Sequence, residues 1–85
     1  MKDNKKILTR LKRIEGQVRG LQKMVEEDSY CIDVITQTSA VRSALKSTED
    51  ELLRAHLSSC VVSQIKEGKE KKAVEEILKV YKLKR

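Results

Sequence analysis

Between Tyr30 and Gly68 the chain contains neither glycine nor proline, while apolar and small residues recur at a helical period. Val34, Thr38, Val41, Leu45, Thr48, Leu52 and Ala55 keep a seven-residue repeat as far as Val62. Steps of three and four residues mark one face of an α-helix. The segment therefore predicts a helix of about 35 residues, roughly 50 Å long at 1.5 Å per residue. One rival break exists. "STEDE", residues 47–51, places Thr48 and Glu51 in capping-box spacing and could start a new helix, folding the segment into a hairpin. The lack of any turn residue there favours the uninterrupted helix.

Ahead of this segment, Ile7, Leu11, Ile14, Val18, Leu21 and Val25 form a second apolar stripe. Gly16 and Gly20 lie inside that helix, four residues apart, and either let another backbone approach or are tolerated on the surface. "EEDSY", residues 26–30, offers Asp28 and Ser29 as N-cap candidates for the long helix. Gly68 reads as its C-cap. Ala73, Val74, Ile77, Leu78 and Tyr81 then mark a short third helix, which ends in the basic tip "KLKR". With 85 residues, no Pro, Phe or Trp and two aromatics, the chain reads as one all-helical domain, 1–85, that gains burial by oligomerising.

No apolar run is long enough to span a membrane, and "MKDNKK" lacks the apolar stretch of a signal peptide. Two cysteines are few for a secreted chain of this size, so a cytoplasmic protein with reduced thiols is expected. The formal net charge of +6 is concentrated. Residues 1–25 hold eight basic side chains against Asp3 and Glu15, whereas the remainder balances at 11 of each sign. Lys2, Lys6, Arg10 and Arg13 form one basic row, and Lys5, Lys12, Arg19 and Lys23 another. The expected partner is a polyanion. No helix-turn-helix or zinc-finger spacing is present.

"AHLSSC", residues 55–60, sets the only histidine, His56, four residues before Cys60, on one helical face. Two thiolates and an imidazole would form a soft set suited to Cu(I) or Zn(II), although zinc would want a fourth ligand. A satisfied helical core is the alternative. If the long helix is continuous, Cys31 lies about 37 Å from His56, too far to share a small ion within one chain. An antiparallel partner solves this: a two-fold axis near Ala44 and Leu45 places Cys31 of one protomer beside His56 and Cys60 of the other. A break near Ser47 would instead allow a site within one chain.

"RLKRIEGQVRGLQKMVEEDSYCIDVITQTSAVRSAL", residues 10–45, followed by "HLSSC", resembles the copper-sensing operon repressor (CsoR) family of bacterial transcription regulators. The likeness covers nearly the whole chain. It implies a three-helix protomer with a long second helix, an antiparallel four-helix-bundle dimer and a homotetramer built as a dimer of dimers. It also implies Cu(I) at Cys31, His56 and Cys60, with Tyr30 and Glu76 hydrogen-bonding around the histidine. Nickel- or cobalt-type members have a histidine near the N-terminus and another at position 60, both missing here. Formaldehyde-type members have a proline after the initiator, where this chain has Lys2. Persulfide-type members keep both cysteines without the histidine, so a reactive-sulfur sensor using Cys31 and Cys60 is the nearest alternative.

The resemblance further implies that the apo tetramer binds operator double-stranded DNA through its basic face, with Arg10 among the contacts. Periodicity adds Lys6 and Arg13. Members often carry a basic residue at position 47, where this chain has Ser47 beside Lys46. On this reading Cu(I) binding releases the operator by a reciprocal coupling energy, and copper-resistance genes are derepressed. An enzyme with Cys60 as nucleophile and His56 as base lacks an orienting third group. A copper store would carry more thiols, and a zinc-stabilised module would unfold on chelation.

Overall fold

The protein is represented by a computed structural model that describes residues 4–83. Lys2 of the first basic row, and Lys84 and Arg85 of the C-terminal tip, lie outside the described residues. In order, the elements are α1 (Asn4–Glu26), α2 (Cys31–Ala55), a π-helical turn (His56–Cys60), α3 (Val61–Lys66) and α4 (Glu70–Leu83). Among the described residues there is no strand, and no helix is long and apolar enough to cross a membrane.

The long second helix is present, but it is not α-helical throughout. No non-helical residue intervenes between Cys31 and Lys66, yet the hydrogen-bond register changes at His56–Cys60. At Ser47, by contrast, nothing breaks. Thr48 is buried, and its hydroxyl donates to the Ala44 carbonyl at 2.9 Å instead of capping a new helix. The chain divides between Leu52 and Leu53 into two compact units.

Both helix ends that precede a turn close in the same way. At the end of α3, the Lys69 N–H donates to the Gln64 carbonyl at 2.7 Å and the Gly68 N–H to Ile65 at 3.1 Å, with Gly68 at φ +75°. This is a Schellman motif, and the left-handed residue is the glycine that such a motif favours. At the end of α1, the Ser29 N–H reaches Met24 at 2.9 Å and the Asp28 N–H reaches Val25 at 3.2 Å, with Asp28 at φ +55°. Asp28 is therefore the left-handed end of α1 and not a cap of α2. The Tyr30 carbonyl accepts the first bonds of α2, from Asp33 and Val34.

In the first unit, Ile7 and Ile14 of α1 and Val41 and Thr48 of α2 are buried. The rest of the α1 stripe is only partly consumed: Leu21 is half-buried, while Val18 and Val25 stay exposed, Val25 at 63%. A Cβ at Gly16 or Gly20 would meet nothing within 4 Å, so in the protomer both are surface glycines. In the second unit α3 packs on α4, where Ala73 is buried and Ile77 half-buried. Val74, Leu78 and Tyr81 of the same stripe face solvent.

The two left-handed residues give opposite expectations. Gly68→Ala forces a Cβ into that conformation and should lower unfolding free energy by about 1 kcal/mol. Asp28→Gly relieves one and should raise it, by less than about 1 kcal/mol because Asp tolerates the region better than most residues. Urea midpoints of the two variants check both signs.

Candidate metal centre

The π turn coincides with the His-x-x-x-Cys stretch that the sequence singles out. Its closing bond runs from the Val61 N–H to the His56 carbonyl, five residues back. Two serine hydroxyls converge on one carbonyl at this turn. The Ser59 hydroxyl donates to the Ala55 carbonyl at 2.7 Å, and the Ser58 hydroxyl approaches the same oxygen at 3.4 Å. Side-chain hydroxyls that bond back to a carbonyl one turn earlier compete with the α ladder and loosen it. The helix here takes the wider register.

His56 is half-buried against α4. Its Nε2 lies 3.4 Å from Oε2 of Glu76, and the other carboxylate oxygen accepts from Nε2 of Gln64 on α3 at 3.3 Å. In a neutral imidazole, a carboxylate beside Nε2 favours the tautomer with its proton on that nitrogen, which leaves the Nδ1 lone pair free to bind a metal. Cys60, on the same π turn, is a free and half-buried thiol. An imidazole held by a carboxylate and a nearby thiol fit a soft, low-coordinate metal ion.

Cys31 opens α2 in the first unit as a free, exposed thiol, and Tyr30 immediately before it is 69% exposed. Among the described residues no group of three His, Cys, Asp or Glu side chains is gathered to hold a metal ion. The protomer thus brings Glu76 to His56, and it carries Cys60 on the turn that His56 begins. Tyr30 and Cys31 belong to the other unit.

Of the predicted DNA contacts, Arg10 and Arg13 line one groove of about 310 Å³ between α1 and α2, together with Gln17 and Ser47. The Arg10 guanidinium donates to the Ser47 hydroxyl at 3.4 Å. Lys6 is exposed on α1, one turn before Arg10, and is not among the walls of that groove. Sequence reasoning missed the π turn, Gln64, Gln17 and the Arg10–Ser47 bond. Only the adjacent serines after His56 carried a signal for any of these.

The profile of the metal-sensitive transcriptional repressor family matches residues 3–82. The chain is 49% identical over 81 residues to the copper-sensing transcriptional repressor CsoR of Bacillus subtilis, covering 95% of this chain and 80% of that protein. It is 61% identical over 59 residues to the copper-sensing transcriptional repressor RicR of Mycobacterium tuberculosis, covering 69% of this chain and 62% of that one. Among solved structures, it resembles the copper-sensing repressor CsoR with Cu(I) from Geobacillus thermodenitrificans. That match has a TM-score of 0.92 at 44% identity and covers 98% of this chain and 86% of the other.

If the serine hydroxyls cause the π register, Ser59→Ala should relax residues 56–60 toward α geometry. Backbone carbon chemical shifts at Ala55 through Cys60 would move, with stability changing by no more than about 1.5 kcal/mol. Unmoved shifts would show that the turn does not depend on that bond.

Proposed function

The chain belongs to the metal-sensitive transcriptional repressor family, and from that premise we propose that it is a Cu(I)-responsive repressor of transcription. The family is one of repressors, not enzymes. The observation that carries the reading is the His56 contact. With Nε2 facing Glu76 at 3.4 Å, the imidazole offers Nδ1, and Cys60 sits on the same turn. Cys31 of the partner subunit would supply the third donor, giving a Cys–His–Cys set at the interface of an antiparallel dimer. Three soft donors satisfy Cu(I), whereas zinc would need a fourth. When bound, copper would supply a covalent tie between two protomers. Tyr30 of the partner subunit would lie beside His56, next to its own Cys31.

Self-association has support in the protomer's surface. Val25, Ile32, Ile35, Leu45 and Ile65 are all exposed, although each is large and apolar. Such a surface suits burial against a second copy. The apolar cleft between α1 and α2 lined by Val18, Leu21, Val25 and Val34 adds to it. We read the assembly as a dimer that pairs into a tetramer, acting in the cytoplasm on operator double-stranded DNA.

The basic row of α1 is the proposed DNA contact. Two guanidinium groups, Arg10 and Arg13, face one groove in which Ser47 and Gln17 offer further donors, and this suits a backbone phosphate. Lys6 would extend the contact along the strand. Ser47 then assists Arg10 where relatives place a basic residue. Operator release follows as linkage: a protomer arrangement that favours metal binding and disfavours DNA couples the two sites reciprocally.

Two outcomes test this reading. Anaerobic titration of operator-bound protein with Cu(I) should lower DNA affinity about 5- to 150-fold, the usual span of allosteric coupling. His56→Ala and Cys60→Ser should keep binding DNA and lose that response. A persulfide donor that releases His56→Ala as readily as wild type would point to sulfur sensing instead. Separately, Arg10→Ala should weaken binding across operator sequences and reduce the logarithmic salt slope by about 1. An unchanged slope would remove Arg10 from the phosphate contacts.

A further inference from the structure

We propose that Gln64 is a positioning residue for the candidate metal centre: its amide N–H holds the Glu76 carboxylate against Nε2 of His56 and so keeps Nδ1 as the free donor of the imidazole. The purpose of this arrangement rests on the reading of His56 as a ligand. The geometry itself does not.

Glu76 engages two partners at once. Oε2 faces His56 at 3.4 Å, and Oε1 accepts from Gln64 at 3.3 Å. A glutamate side chain has three rotatable bonds, and one contact to an imidazole leaves it free to swing away. A second contact, from a different helix, removes that freedom. Gln64 is itself anchored, because its main-chain carbonyl accepts the 2.7 Å bond from Lys69 that closes the Schellman turn.

The π turn makes this convergence possible. On a regular α-helix, His56 and Gln64 are eight residues apart and would point about 80° away from each other. The wider register of residues 56–60 turns the following residues back around the axis, bringing Gln64 toward the face that carries His56 and Cys60. Among the described residues, Oε1 of Gln64 is buried without a hydrogen-bond partner.

The test uses metal-free protein. His56 is the only histidine, so a long-range proton–nitrogen correlation spectrum reports its tautomer without assignment ambiguity. Recorded above the usual histidine titration range, wild type should show the Nε2–H form in clear excess. Gln64→Leu, which places a shorter apolar side chain with no donor toward Glu76, should lower the ratio of Nε2–H to Nδ1–H several-fold. Glu76→Ala should do the same, and Gln64→Lys, which keeps a donor toward Glu76, should restore the excess. If Gln64→Leu loses its helical circular dichroism, Gln64→Met takes its place and must give the same result.

A wild-type tautomer ratio in Gln64→Leu beside a shifted ratio in Glu76→Ala would overturn the proposal. So would a ratio that moves in neither variant. Cu(I) affinity of Gln64→Leu should fall about tenfold, as expected when an outer partner of a ligand histidine is lost. A wild-type protein that binds no Cu(I) would refute the functional reading and leave the tautomer result standing.

Discussion

The carboxylate of Glu76 ties together everything that makes the second unit specific. It meets His56 from the π turn with one oxygen and Gln64 from α3 with the other. Three features must coincide for this. The helix must loosen at His56–Cys60, α3 must stop at the Gly68 turn, and α4 must return along it with Ala73 close-packed. Ala73 is 2% exposed, so a larger residue there would force α4 outward and withdraw Glu76. An imidazole held from one side presents its other nitrogen in a fixed direction.

The protomer carries too little core to explain its own surface. Ile7, Ile14, Val41 and Ala73 are the buried hydrophobic residues among those described, while large apolar side chains on α1, α2 and α4 remain exposed. Both the shortage of aromatics and the exposed stripes suit the proposed assembly, in which burial continues between chains. Under the proposed function this couples stability to sensing, since the surface that completes the core also completes the ligand set.

Much of the fold was readable because it rests on periodicity and on residues that punctuate it. The two stripes located α1 and α2, and Gly68 marked the end of α3 through its need for a positive φ. Asp28 misled for a physical reason: the side chain that caps a helix N-terminus also tolerates the left-handed conformation that ends the preceding helix. The π turn escaped because a seven-residue repeat records which face is apolar and not which carbonyl each N–H reaches. At the site, His56 and Cys60 were legible as a spaced pair, and Glu76 came from family resemblance. Gln64 had no such marker. A neutral amide becomes significant only when packing brings it to a particular carboxylate.

Under the proposed function the ligand set is divided between two protomers, with Cys31 from one and His56 and Cys60 from the other. A mixed dimer tests it most directly. Cys31→Ser and Cys60→Ser protomers, each defective alone, are combined so that one protomer of each kind forms the dimer, and Cu(I) stoichiometry is measured anaerobically. A shared site predicts one recovered Cu(I) site per mixed dimer, because Cys31 of one variant meets His56 and Cys60 of the other. No recovered site in the mixed dimer, with two in wild type, would contradict it and place each site within a single chain.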